Sequence, residues 1–143
     1  MTDIVAVAAD HGGYELKTAL LPELKALGFE VLDLGTHGPS AVDYPNFALA
    51  LAQALADGRA QRGVLICGTG IGMSMAANRH RHLRCALAYD VTTARLARQH
   101  NDANVLALGA RVVGAEVAKD CVKTFFTTSF DGGRHARRVA LFS

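Results

Sequence analysis

The stretch VLICGTGIGMS, residues 64–74, runs an apolar segment into a cysteine and three alternating glycines. Gly68, Gly70 and Gly72 carry no Cβ, so backbone can approach a ligand closely there. A helix that starts at such a turn aims its first N–H groups at the same spot. The pattern suits an anion, whether a phosphate or an oxyanion that develops during a reaction. It also suits a plain strand-to-helix corner. Cys67 is what makes chemistry a serious reading. A thiol pKa of about 8.5 falls near a helix N-terminus, and a group titrating near working pH can act as a general base. Cys85 and Cys121 lack that setting and are expected to behave as small hydrophobes.

Two sharper readings of the turn fail on the letters. A dinucleotide fingerprint needs G-x-G-x-x-G, and Met73 stands where its third glycine belongs. A cysteine phosphatase would need an arginine six residues past the cysteine, which is again Met73. The turn ADHGG is no fingerprint either, although Asp33 lies about where a ribose-binding acid would stand.

Other residues with chemical potential are spread along the chain. Asp10-His11 follows the first apolar run, Asp43-Tyr44-Pro45 opens a helical stretch, and RQHNDANV (98–105) offers His100 and Asn101. GARVVG offers Arg111, and DGGRHARRV (131–139) gathers Arg134, His135, Arg137 and Arg138. Arginines beside a glycine-rich anion site suit bidentate phosphate recognition. The basic run NRHRHLR (78–84) reads instead as a solvated face. His80-x-His82 and His135 lack the carboxylate spacing of an H-E-x-x-H site. Chemistry without metal or cofactor is therefore expected.

A scaffold must bring these groups together, and the apolar pattern says which. IVAVAA (4–9) is a continuous run, as in a strand covered on both faces. Leu16, Leu20, Leu24 and Leu27 recur at helical spacing, with Pro22 expected to kink or split that helix. Then come strand EVLDLG, a helix over 46–57, strand VLIC, a short helix from about Gly72 and strand CALA. Asp90 is an N-cap for a helix over 91–99. Strand VLAL and a helix over 115–127 complete the series. Alternation of five strands with helices predicts a single-domain, three-layer α/β/α sandwich with a parallel, Rossmann-like sheet. Ligands gather at the carboxyl ends of such strands, where Asp10, Gly35, Cys67, Tyr89 and Gly109 begin the loops.

The 143 residues carry 50% hydrophobic and 20% charged side chains with a net charge of +2. That balance argues against a nucleic-acid binder working through bulk charge. No apolar run approaches the roughly 20 residues of a membrane span, and MTDIVAVAADHGG lacks a secretory leader. Three widely spaced cysteines suggest neither a disulfide framework nor a zinc thiolate site. A cytoplasmic protein is expected.

Taken together, AADHGG, DYPNFA, ICGTGIGMSMAANR, RQHNDANVLALGARVVG and GGRHARRV closely resemble the ribose-5-phosphate isomerase B family, which includes galactose-6-phosphate and allose-6-phosphate isomerases. The resemblance covers nearly the whole chain. It implies that Cys67 is the base and that His100 is the acid assisting ring opening. It also implies a substrate site of Asp10, His11, Tyr44, Gly68, Gly70, Ile71, Gly72, Asn101, Arg111, Arg134 and Arg138. Some relatives use a nearby carboxylate instead; this chain looks like the cysteine type. It stops five residues after Arg138, which leaves little room for a final helix.

The physical reading agrees with what the resemblance implies. Aldose–ketose exchange removes a proton from C2 and returns one to C1 through an enediolate, whose oxyanion the glycine turn can meet with N–H groups. Thr69 can relay a proton between the two oxygens. The competing reading is a non-catalytic sugar-phosphate or nucleotide-binding domain. His100 follows a helix of about nine residues, or about 13 Å, so it should lie at the sheet edge opposite Cys67. A homodimer with shared sites is therefore expected.

Overall fold

The computed structural model describes residues 3–143; Met1 and Thr2, the first residues of the stretch MTDIVAVAADHGG, lie outside. The chain alternates β1 (Ile4–Ala9), α1 (Tyr14–Ala26), β2 (Glu30–Asp33), α2 (Tyr44–Ala56), β3 (Arg62–Cys67) and α3 (Ile71–Ala77). It continues through β4 (Cys85–Leu87), α4 (Val91–Asn101), β5 (Val105–Gly109), α5 (Ala115–Thr127) and α6 (Arg134–Phe142). All strands pair in parallel, in the order β2-β1-β3-β5-β4.

Side chains of the central strands alternate between two cores, because successive Cβ atoms point to opposite faces. Val5, Val7, Val64, Ile66, Leu106 and Leu108 pack with buried residues of α1, α4 and α5. Ala6, Ala8, Leu65, Cys67 and Val105 pack with those of α2 and α3. This is the expected three-layer sandwich. Strand order reverses direction between β1 and β3, so the loops after those strands diverge and leave a crevice at their carboxyl ends.

Three expectations are corrected. Of the two outcomes expected at Pro22, a kink or a split, the split is excluded, because α1 is unbroken. Pro22 and Thr18 both face solvent, so water can serve the Thr18 carbonyl that proline leaves without a donor, while Leu16, Leu20 and Leu24 stay anchored in the core. The chain does have room for a final helix, since α6 uses nine residues up to Phe142. The helix over 91–99 extends two residues further and takes in His100 and Asn101, ending at Asp102 with φ +48. Among the described residues no helix is long and apolar enough to cross a membrane.

Candidate active site

The loops after β1, β3 and β5 enclose a cleft of about 500 Å³, walled by Asp10, His11, Tyr44, Cys67, Gly68, Thr69, Ile71, Gly72 and Arg111. Asp10 is buried, and its Oδ1 accepts the N–H groups of Gly12 (2.9 Å) and Gly13 (3.1 Å). Its carboxylate thus shapes the β1–α1 turn. His11 Nδ1 accepts the Val42 N–H at 3.2 Å, which leaves Nε2 as the proton-bearing nitrogen of the neutral ring. Arg111 donates its backbone N–H to the Gly68 carbonyl at 2.8 Å, and its side chain lies along Gly68.

The glycine turn is built by close approach. Gly70 has φ +81, and a Cβ there would strike Leu87 and the Leu108 carbonyl. A Cβ on Gly72 would enter the Tyr44 ring. Cys67 is 5% exposed, and its sulfur accepts the Gly70 N–H at 3.1 Å. A donor therefore already faces the sulfur where negative charge would form. The Ile71 N–H donates to Thr69 Oγ1 at 3.1 Å, so the hydroxyl keeps its own proton to give. The first turn of α3 leaves the Gly72 N–H without an intrahelical acceptor.

Tyr89, noted only as the residue at a strand end, donates its hydroxyl to the Thr69 carbonyl at 2.8 Å and pins the turn from the β4 side. Met75 also lines the cleft. Neither carries a spacing signal; both arrive through strand order. Asp33 is not available to a ribose, because both its oxygens accept from Lys17 Nζ at 2.8 Å. Burial alone would raise the Asp33 carboxyl, but Lys17 and the Gly35 N–H hold it below its ordinary value.

The remaining candidates are not brought into this cleft. His100 and Asn101 end α4, and Asn101 lines a separate cavity of about 520 Å³ with Arg81, Arg84, Cys85 and Phe142. Arg134 and Arg138 lie on α6, which packs against α4. His100 stacks on His135 with ring centroids 4.3 Å apart and planes 11° from parallel. Desolvation first, then His100 and Arg134, hold the His135 imidazole below its ordinary value. Asp131 joins the two rings, a grouping that motif spacing gave no sign of. Within NRHRHLR, Arg84 departs from the solvated-face reading: it is half-buried and bonds Asp102 through its backbone carbonyl and carboxylate.

The other thiols are placed as inert groups. Burial pushes the Cys85 thiol up to about 12. Burial, then the charges of Asp90 and Asp120, push Cys121 up to about 11.

Residues 5–142 match a family model described as Ribose/Galactose Isomerase. The chain is 44% identical over 135 residues to ribose-5-phosphate isomerase B of Escherichia coli, covering 94% of this chain and 91% of that one. It is 40% identical over 137 residues to D-erythrulose-4-phosphate isomerase of Pectobacterium atrosepticum, with 94% and 90% covered. The solved structure of ribose-5-phosphate isomerase B from Clostridium thermocellum superposes with a TM-score of 0.94 at 49% identity, covering 96% and 93% of the two chains.

Proposed function

The chain belongs to the ribose/galactose isomerase family and is a sugar-phosphate isomerase, and we propose that it interconverts ribose 5-phosphate and ribulose 5-phosphate. The observation that carries the mechanism is the sulfur of Cys67 in the cleft wall with the Gly70 N–H directed at it. The thiolate takes the proton from C2 of the open aldose and returns it to C1, so one proton moves and no electrons leave the sugar. Negative charge passes to oxygen in the enediolate. N–H groups of the glycine turn meet it; losing one such donor commonly costs about 2.7–4 kcal/mol of barrier. Thr69 shuttles the hydroxyl proton between O1 and O2.

Ring opening precedes this step and needs an acid, the role given to His100. We assign that His100, with Asn101, Arg134 and Arg138, to a second copy of the chain. The support is distance. Gly63 pairs with Val105 and Cys67 with Gly109, so the two ends of β5 stand about 13 Å apart, and His100 precedes even Val105. The exposed Leu141 and Phe142 at the end of α6 offer apolar area for that second copy to cover.

Substrate length is tested by assaying ribose 5-phosphate beside four- and six-carbon aldose phosphates, with Cys67→Ala as control. Ribose 5-phosphate should give the highest kcat/KM, and Cys67→Ala should lose about 10²–10⁴ in rate while still binding ligand. A six-carbon preference would overturn the substrate, and a Cys67→Ala enzyme that keeps most of its kcat would overturn the base.

A further inference from the structure

His100, Asp131 and His135 hold ligand atoms within 4.8 Å of one another. They come from three segments: the last turn of α4, the α5–α6 connection and the first turn of α6. The connection is tied down. The Asp131 N–H donates to the Gln99 carbonyl at 3.0 Å, and Arg98 Nε donates to the Thr128 carbonyl at 3.2 Å. Gly132 and Gly133, at φ +66 and +55, reverse the chain between the acid and the second imidazole. The His135 N–H then closes the turn on the Gly132 carbonyl at 3.0 Å.

Two imidazoles and one carboxylate are a donor set that zinc-like ions accept, with a fourth position left to water. Ligand atoms around a tetrahedral zinc stand about 3.3 Å apart. The two rings are stacked 11° from parallel, so binding requires them to turn out of the stack until their in-plane lone pairs converge, with the donors closing by about 1.5 Å. We propose that His100, Asp131 and His135 bind a divalent transition-metal ion of the zinc class, and that the bound ion inhibits the isomerase by occupying His100. The ion takes lone pairs from the two rings and an oxygen of the carboxylate; no bond of the sugar changes. Arg134 and Arg138 flank His135 and disfavour any cation. That selects ions with strong affinity for imidazole over Mg²⁺ or Ca²⁺, which prefer oxygen. Arg98 is the lesser opponent because Asp102 pairs with it at 2.9 Å.

The inhibitory half rests on the ring-opening role given to His100; the binding half does not. The test uses the full-length, chelator-stripped protein, titrated with Zn²⁺ by calorimetry and with Co²⁺ by absorption. One ion per chain should bind, without the thiolate-to-cobalt band that coordination by Cys67 would give. Asp131→Asn and His135→Ala should each weaken binding tenfold or more, since even outer-shell changes at such sites cost about 10–100-fold. Zn²⁺ should inhibit the wild type reversibly with chelator, and Asp131→Asn, whose side chain is exposed, should keep its basal rate and resist Zn²⁺. Equal binding by wild type and both variants, or a thiolate band, overturns the site. Site-specific binding without inhibition leaves the metal site standing and refutes His100 as the acid instead.

Discussion

Two inactive variants should restore activity to each other if the site is shared between copies. Cys67→Ala damages the cleft at the carboxyl ends of the strands, and His100→Ala damages the end of α4. The register of β3 on β5 puts these about 13 Å apart along the sheet, beyond the reach of an imidazole within one chain. In a heterodimer one composite site carries both lesions and the other carries none. Random re-pairing of equal amounts places roughly half of the chains in heterodimers, each with one intact site of two. The mixture should therefore recover about a quarter of wild-type activity. If each parent is down at least about 100-fold, that is a rise of about 25-fold or more. The assay is initial rate after mild dissociation and re-association, with heterodimers counted by native mass spectrometry. Mixing Cys67→Ala with Asp10→Asn is the control, because both lesions lie in the same cleft and every heterodimer site stays damaged. A silent Cys67→Ala and His100→Ala mixture with heterodimers present would refute the shared site.

Phosphate should be obligatory: Arg134 and Arg138 supply charge-assisted bonds worth roughly 1.5–3 kcal/mol each, so free ribose should lose kcat as well as affinity. Equal turnover of ribose and its phosphate would sink that assignment; the reaction should also need no metal, and activity abolished by chelator and restored by a divalent ion would overturn that expectation. Cys85→Ala and Cys121→Ala should stay active, and neither thiol should react with iodoacetamide near neutrality, since both are pushed well above that range; mass spectrometry of the labelled protein reads this directly. The Lys17–Asp33 pair predicts an acid limit to stability. The folded Asp33 carboxyl lies below its unfolded value of about 3.9, so its contribution is whole above that value and fades as pH falls toward the folded one. Asp33→Asn should remove this fade and leave Lys17, 2% exposed, as a buried cation without its partner. The cost should be about 2 kcal/mol at neutral pH, less than the 3–5 of a fully buried pair because Asp33 keeps some solvent. Urea unfolding of both proteins across pH 3–7 checks it, and identical pH curves would contradict the pairing.

Much of the fold is legible because β1, β3 and β5 are short apolar runs and α1 and α2 repeat leucines or alanines at helical spacing, whereas the arginine-rich α6 carries no such signal. What misled was local chemistry weighed without knowing which face was wet. Pro22 costs α1 one hydrogen bond, but the freed Thr18 carbonyl is on the wet face, so that loss does not end the helix. The cleft was legible in part: Asp10, Cys67 and the glycines follow strands and had to reach the same edge. Tyr89 could not be read as a partner of Thr69, because the strand order that places β4 beside β5 is not written in any motif. The grouping of Asp131 with His135 and His100 was hidden for a similar reason. It depends on two glycines taking positive φ in a loop that composition alone describes only as flexible.

Chain order in a parallel α/β sheet already divides the candidate residues into two halves. A strand and the helix that follows it run in opposite directions, so a residue just after a strand and one just after a helix emerge at opposite edges of the sheet. Asp10, Cys67 and Arg111 follow β1, β3 and β5; His100 and Asn101 close α4. Arg134 and Arg138 belong with the second group, because α6 packs on α4 and stacks His135 on His100. On the proposed roles, one half carries the base and oxyanion donors but lacks these arginines; the other has the arginines and the acid, and its thiol, Cys85, is pushed by burial up to about 12. With the roles assigned that way, neither half would both open a ring and move its C2 proton alone. In the proposed dimer, a two-fold axis that set the cleft of one copy against α4 and α6 of the other would make both halves whole twice, with no residue having to move along the sheet.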